Sequence, residues 1–386
     1  MDTFIDFSSG SMNKYKEELC GDKVEFYKDE DKFIAVLSDG LGSGVKANIL
    51  ATLTSKIAIT MLKSGADIYE VVDTIANTLP VCSIRKLAYS TFTIVSIDKT
   101  NMIYIAEFDN PSMFFLRNGV IADIKWDIIK INERTVKESR FKLKEKDILI
   151  FVSDGVIHAG VGMVLNLGWK WSDVAKYIEK YIKPNMLSKN ITDTLLGVCD
   201  QLYMQQPGDD TTVACVKVTK SKKTILFSGP PIDKSKDSEI VEKLMKYKGN
   251  KIICGGTAAN IVARELNEQI RTSFEILDKN VPPISYIKGI NLVTEGVLTL
   301  KQAIEKLENI KTEMNLKFLD GEDGACKLAK LLFVNSTHIK FLVGGAINPA
   351  HQNPCFPKDM SVKIEILEEL QRTLISLGKI IEIEYF

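Results

Sequence analysis

The readable pattern of the chain opens with a short, wholly apolar run, FIAVL at 33–37, the length of a buried strand and too short for a helix. Residues 45–63 then place Ile49, Leu50, Leu53, Ile57 and Met61 at helical spacing, with Gly65 positioned to stop that helix. Asp67 reads as the cap of a second helix whose one face is Ile68, Val71, Val72, Ile75, Ala76 and Leu79. The pattern changes to strands in TFTIVSI, MIYIAEF and MFFL, cut by the turn signals Asp98-Lys99-Thr100-Asn101 and Asp109-Asn110-Pro111. ILIFV at 148–152 is another buried strand; two helices near 170–183 and 189–204 follow, and VACVKV closes this stretch as a strand.

Residues 217–223, KVTKSKK, form a basic polar stretch that reads as a linker, and the rhythm changes after it. TILFS, KIIC, INLV, IKFLV and KIIEIEY read as strands. DSEIVEKLMKYK, TAANIVARELN, LTLKQAIEKLENI and VKIEILEELQRTLISLG read as helices between them, the β-α-β-α order of an α/β layer. The expected organisation is two domains, 1–220 and 221–386.

Composition narrows the partners. The chain has 386 residues, 45% apolar and 26% charged, with acidic and basic residues balanced at 50 each. Nothing in that balance points to nucleic acid or to a membrane surface. The seven cysteines (20, 82, 199, 215, 254, 326, 355) are scattered, odd in number and without a CxxC pair, which reads as a reduced, cytoplasmic set. Residues 1–19 hold no apolar leader core, and no apolar run reads as long enough to cross a bilayer. A soluble protein of the cytoplasm is expected.

Three aspartates end apolar strand-like runs and sit beside small, turn-prone residues: Asp39 in FIAVLSDGLGSG, Asp154 in ILIFVSDGV and Asp209 in PGDDTTVACVKV. Brought together, they make an oxygen-rich cage suited to Mg²⁺ or Mn²⁺, which prefer carboxylates, carbonyls and water to thiols. The three histidines, His158, His338 and His351, form no cluster, and no serine–histidine or cysteine–histidine nucleophile stands out. His158, just after the second Asp-Gly, reads either as a neighbour of the site or as an ordinary surface residue. Each Asp-Gly alone also reads as a β-turn. GLGSG after a strand reads as a nucleotide loop only if an aspartate is tolerated at the phosphate, and it is not GxGxxG.

SDGLGSGVKAN, YSTFTIVSID, FDNPSMFFLRNG, FVSDGV and GDDTTVACVKV, in this order, resemble the sporulation stage-II protein E phosphatases, which are metal-dependent serine/threonine protein phosphatases of the PP2C type. The resemblance covers about residues 15–220. It implies an α+β fold, a PP2C-like α-β-β-α sandwich, followed here by a smaller α/β domain. It implies removal of phosphate from phosphoserine or phosphothreonine with two Mn²⁺ or Mg²⁺ ions. By resemblance Asp39 bridges both ions, the Gly40 carbonyl contacts the second, Asp154 and Asp209 hold the first, and Asp22 in CGDKVEF supports the second. Asp210 reads as a hydrogen-bonding neighbour of the ligands. The implied partner is a phosphorylated regulator, such as an anti-anti-sigma-type protein. The competing reading is a signalling or binding scaffold on the same fold with weak turnover. No arginine before Asp22 matches the one that grips phosphate in the eukaryotic-type enzymes, where the nearby cations are Lys14 and Lys16; Arg117 reads as a residue that structures a hairpin end.

Residues 221–386 carry no motif set that points to a particular function and read as a regulatory or targeting domain. Gly255-Gly256-Thr257 reads as a βα turn with Thr257 as helix cap, or as an anion-binding turn. Gly229-Pro230-Pro231 reads as an ordinary turn, and the stretch after IKFLVGG, which includes His351, as a long loop.

Overall fold

The structure, a computed structural model, describes residues 3–29, 31–78, 90–131, 134–273, 281–312, 319–346 and 360–386. It divides into two units, Thr3–Lys220 and Ser221–Phe386. The first runs β1 (Thr3–Met12), β2 (Asp22–Lys28), β3 (Lys32–Gly40), α1 (Gly44–Lys63), α2 (Ile68–Thr78), β4 (Ser90–Asp98), β5 (Met102–Phe108), β6 (Phe114–Arg117), β7 (Val120–Ile121), β8 (Asp127–Ile131), β9 (Arg134–Lys142), β10 (Ile148–Val152), α3 (Asp154–Ile157), α4 (Trp171–Tyr181), α5 (Ser188–Leu202) and β11 (Thr211–Lys220).

Its strands form two antiparallel sheets, one in the order β1-β11-β10-β6-β7 and one in the order β2-β3-β4-β5-β9-β8. The wholly apolar runs are explained by burial on both faces. On β3, Phe33, Ala35 and Leu37 join Leu149 and Phe151 of β10 and Ala214, Val216 and Val218 of β11 in the core between the sheets. The alternate residues Ile34 and Val36 pack outward against α1 and α2. On β10, Ile148, Ile150 and Val152 point the other way, onto α4 and α5. The unit is therefore layered α-β-β-α.

α1 keeps part of the predicted stripe inward and turns part of it out: Leu50, Ile57 and Met61 pack partly buried against the core beside Ile59 and Leu62, whereas Ile49 and Leu53 do not. Ala47, Ala51, Thr54, Ser55 and Ala58 are buried, whereas Val45, Ile49 and Leu53 are 58%, 52% and 44% exposed. Small side chains let the helix lie close on the sheet, and that close approach outweighs burial of the larger ones. By length and composition α1 also meets the criterion for a membrane span, so the expectation that no run is long enough fails for this helix. α2 starts as the sequence indicates: Asp67 Oδ1 accepts from Glu70 N–H at 2.9 Å, and Glu70 Oε2 accepts from Asp67 N–H at 3.2 Å, a reciprocal capping box. Leu79, expected on its face, lies outside the described residues. Arg117 ties the β6–β7 hairpin, pairing with the buried Asp147 carboxylate at 2.6 Å and donating to Lys142 O at 3.0 Å.

The second unit runs β12 (Lys223–Ser228), α6 (Asp237–Lys246), β13 (Asn250–Cys254), α7 (Gly256–Leu266), β14 (Arg271–Thr272), β15 (Ser285–Tyr286), β16 (Leu292–Thr294), α8 (Val297–Thr312), α9 (Gly324–Phe333), β17 (His338–Val343), α10 (Met360–Ser376) and β18 (Ile380–Tyr385). Its sheet order is β14-β15-β16-β13-β12-β17-β18, parallel from β16 to β18. The first strand, β12, lies between the second and a later one, as in doubly wound sheets. α6 and α7 cover one face through Ile240, Leu244, Ile261 and Val262. Thr257 is not the cap of α7: Gly255, at φ +115°, takes that place and Thr257 lies in the first turn. His351 and the loop around it lie outside the described residues.

Candidate metal centre

The two sheets of the first unit are stitched together at one end. β1 finishes with Met12 opposite Thr211, the first residue of β11. β2 then begins with Asp22 opposite Asp39 of β3. Residues 13–21 carry the chain across, and their backbone is pinned at both sides. Lys14 N–H donates to Asp210 Oδ1 at 3.0 Å and Tyr15 N–H to Pro207 O at 2.8 Å. Gly21 O accepts from Gly40 N–H at 3.2 Å, and Cys20 O accepts from Asn48 Nδ2 at 2.7 Å. Beyond the last β10–β11 pair, Ser153 N–H donates to Thr212 O at 3.0 Å and Thr212 N–H returns to Ser153 Oγ at 2.9 Å. That exchange sets Asp154, at the start of α3, beside Asp209 and Asp210, at the start of β11.

Asp39 differs in detail from its expected place at a strand end. It lies inside β3, paired with Asp22 on one side and Thr91 on the other, and β3 continues through Gly40. Ser90 donates its hydroxyl to Asp39 O at 2.9 Å, which fixes the backbone there. Gly40 and Gly155 are not turn glycines, since neither has positive φ. A Cβ on Gly40 would stand 2.1 Å from the Ala47 carbonyl oxygen, and one on Gly155 would stand 2.1 Å from the Asp210 carbonyl oxygen. These glycines are required by close approach of neighbouring backbone.

The electrostatics tie all five aspartates together. Burial pushes the Asp39 carboxyl up to about 9, and the like charges of Asp22, Asp154, Asp209 and Asp210 add to it. Asp22, 4% exposed, is pushed up to about 7 by burial, with Asp210 and Asp154 adding and the Ser153 and Thr212 hydroxyls pulling back. Those hydroxyls are near Asp22 but not in hydrogen-bond geometry, because both Asp22 oxygens are buried without a partner, as is Asp210 Oδ2. Asp209 is raised by burial and by Asp154, with Lys14 opposing. Among the described residues no group of three or more His, Cys, Asp and Glu side chains closes tightly enough to hold one ion. The carboxylates share one end of the sandwich without converging on a point.

This donor set fits hard divalent cations. Buried, crowded, unpartnered carboxylate oxygens are costly unless a positive charge offsets them, and among the described residues no cysteine or histidine joins them in a group that could hold a metal. Cys20, the thiol nearest Asp22, is pushed up to about 12 by burial and by Asp22 and Asp210, so it stays protonated. Asp210 is as much a member of the cluster as the ligands the sequence singled out; the Asp209-Asp210 doublet was the available signal. His158 is exposed and lines a cavity together with Asp154.

Two antiparallel sheets back to back, two helices outside each, and an aspartate cluster at one end define a PP2C-type sandwich. Residues 29–219 match the family model described as Stage II sporulation protein E (SpoIIE). The N-terminal unit is thus a SpoIIE-like domain of the PP2C type. The chain is 27% identical over 192 residues to Stage II sporulation protein E of Bacillus subtilis (strain 168), a match covering 48% of this chain and 22% of that protein. A solved structure of the PP2C phosphatase domain of SpoIIE from Bacillus subtilis with a fragment of its regulatory domain is 21% identical, covers 56% of this chain and 64% of that one, and has a TM-score of 0.48. A second, of the phosphatase domain in a crystal form without domain swapping, is 21% identical, covers 57% and 94%, and has a TM-score of 0.44.

Proposed function

We propose that the N-terminal unit is a divalent-metal-dependent phosphatase acting on phosphoserine or phosphothreonine of a regulatory protein in the cytoplasm. The observation that carries this reading is the aspartate cluster with its buried, unpartnered oxygens, on a stretch that matches the SpoIIE family model. Asp22, Asp39, Asp154, Asp209 and the Gly40 carbonyl are the residues that would hold two Mn²⁺ or Mg²⁺ ions. When bound, such ions offset charge on phosphoryl oxygens and lower the pKa of water. The chain's own contribution is to fix the donors. The β2–β3 pair aligns Asp22 with Asp39, and the Ser153–Thr212 exchange aligns Asp154 with Asp209. Asp210 anchors the crossing segment through Lys14 N–H.

The hydroxyls at the site are engaged: Ser153 Oγ accepts from Thr212 N–H, and the Thr212 hydroxyl donates to Ser11 Oγ at 2.8 Å. Among the described residues no nucleophilic side chain stands out at the site, so water is the proposed attacking group and no covalent phosphoenzyme is expected. A scaffold with weak turnover is the second reading, favoured by the failure of the carboxylates to close on one point. Hydrolysis of p-nitrophenyl phosphate and of phosphoserine, phosphothreonine and phosphotyrosine peptides, with Mn²⁺, Mg²⁺ or EDTA, separates the two. Metal-dependent turnover that prefers phosphoserine and phosphothreonine and is lost in Asp39→Asn supports the phosphatase; a folded protein with no turnover in either metal supports the scaffold.

A further inference from the structure

A cavity of about 770 Å³ opens beside the aspartate cluster, with Asp154 in its wall. That is within the range of about 300–1,000 Å³ typical of ligand pockets. Its walls are the chain before β6, the segment from Ile121 to Trp126, α3, and the first residues of α4. One wall is held rigidly. The Trp171 ring stacks on Phe114 at 4.8 Å and 16°, and its indole N–H donates to Ser112 O at 2.7 Å. The rest of the lining is mixed: Ile124, Trp126 and Ile157 are half-buried apolar residues, and Asp123 and His158 stand exposed beside them. Lys170 stands exposed in the same lining and forms no ion pair among the described residues. The segment joining α3 to α4 continues the apolar surface outward: Val161, Met163, Val164 and Leu167 are 46–67% exposed. An apolar surface of this kind beside a polar site marks a place where another chain binds.

We propose that this groove binds the stretch of the phosphoprotein flanking the phosphorylated residue, with an apolar side chain entering between Trp171 and Ile124 and an acidic neighbour pairing with Lys170. The inference rests on the phosphatase reading above. Asp154 belongs both to the lining and to the aspartate cluster, so a segment lying in the groove brings its phosphorylated side chain beside the cluster. Lys170 is the lysine of this lining and forms no ion pair among the described residues, so an acidic residue on the substrate complements it on the side away from Asp123. The fixed Trp171 wall makes the groove preformed, which lowers the ordering cost of binding a flexible peptide.

The test uses the full chain with Mn²⁺ and phosphoserine peptides bearing Leu or Ser, and Asp or Lys, on the N-terminal side in one set and the C-terminal side in another. Each kcat/KM is divided by that for p-nitrophenyl phosphate, which is too small to span the groove. The expected result is a preference of about tenfold for the Leu- and Asp-bearing peptides on one side, the size of a single side-chain discrimination. Lys170→Glu reverses the Asp-over-Lys preference, and Ile124→Asp removes the preference for Leu. Equal turnover of all peptides by the wild type overturns the proposal. So does Lys170→Glu lowering every peptide and p-nitrophenyl phosphate alike, which would put Lys170 on the phosphate itself. A wild type that does not hydrolyse p-nitrophenyl phosphate overturns the phosphatase reading and the groove's substrate role with it. Hydrolysis of p-nitrophenyl phosphate without peptide discrimination overturns the groove alone.

Discussion

Replacing Asp22 by Asn should stabilise the metal-free protein while weakening its response to metal. The Asp22 carboxyl is 4% exposed, has no hydrogen-bond partner on either oxygen, and faces the charges of Asp210 and Asp154. Burial first, and then those charges, lift it from 3.8 to about 7. A carboxylate whose folded pKa is raised binds its proton more tightly in the folded state. Stability therefore falls as pH rises from about 4 to about 7, and the full deficit persists above that. Three pKa units at 1.36 kcal/mol each set the deficit at about 4 kcal/mol. Asn cannot ionise, and its amide finds acceptors in the surrounding carboxylates, so about 2–4 kcal/mol should return at pH 8. All three tryptophans, Trp126, Trp169 and Trp171, lie in the first unit, so urea unfolding followed by tryptophan fluorescence reports that unit alone. In EDTA the Asn variant should unfold at higher urea than wild type at pH 8 and at nearly the same urea at pH 4. Saturating Mn²⁺ should then stabilise wild type, by about 2.7 kcal/mol at a hundred times Kd, and the variant less. A variant no more stable than wild type at pH 8, or a difference that is the same at both pH values, would refute the argument that Asp22 is held as an uncompensated buried charge.

Three further outcomes follow from the same geometry. Asp154→Asn and Asp209→Asn should each lower metal-dependent kcat by about 10²-fold or more, the size of removing one group that stabilises developing charge, with urea midpoints at pH 8 in EDTA no lower than wild type. Gly155→Ala places a methyl group 2.1 Å from the Asp210 carbonyl oxygen and 2.7 Å from Thr211 Oγ1; a destabilisation of about 1–3 kcal/mol by urea unfolding should accompany loss of turnover. Glu107, 2% exposed, accepts from Met113 N–H at 2.8 Å through one oxygen while the other is buried unpartnered, and burial raises it from 4.5 to about 7. The folded state therefore holds the extra proton, stability falls by about 3 kcal/mol as pH rises from 4.5 to 7, and Glu107→Gln should flatten that slope in urea midpoints measured across the range.

The elements legible in the sequence were those whose own pattern decides them. β3, β10 and β11 are apolar on both faces because each lies between another sheet and a helix layer, and such runs stand out without any partner in view. β1 was not legible. FIDFSSGS carries three serines and a glycine, yet it pairs along its whole length with β11, from Thr3 opposite Lys220 to Met12 opposite Thr211. Its strand state comes from a partner some two hundred residues away, which local pattern does not contain. β8 and β9 escaped for the related reason that they are largely exposed and carry few buried apolar residues, Ile131 in one and Val136 in the other, so no clear alternation marks them. α9 was missed although its cap is clear in the structure, with Asp323 Oδ1 accepting from Ala325 and Cys326 N–H, both at 2.9 Å. The face of α1 was read only in part: Ile49 and Leu53 were placed with Leu50, Ile57 and Met61 on the core side, when Ala47, Ala51 and Ala58 make the closer fit and those two turn outward.

The Asp-Gly pairs show how the site itself was half visible. In sequence the glycine reads as a turn, which leaves the aspartate an accident of a loop. In the structure the glycine is the contact, and the aspartate is placed by it. Gly155 lets the backbone of Asp210 come within touching distance, which brings Asp154 to Asp209 and Asp210. Gly40 does the same for the Ala47 carbonyl of α1, and that contact seats the helix over Asp39. Gly21 leaves room for Asp210 Oδ2, which a Cβ would meet at 2.8 Å, and that clearance admits the crossing segment that ends in Asp22. Gly21, Gly40 and Gly155 thus each permit an approach between separate segments. Three such approaches meet at one end of the sandwich, so the charge cluster is imposed by packing. A fold that spends close backbone contacts to hold like charges together gains nothing in stability from doing so. On the proposed function its return is a cation site, which would put the glycines and the aspartates in one function.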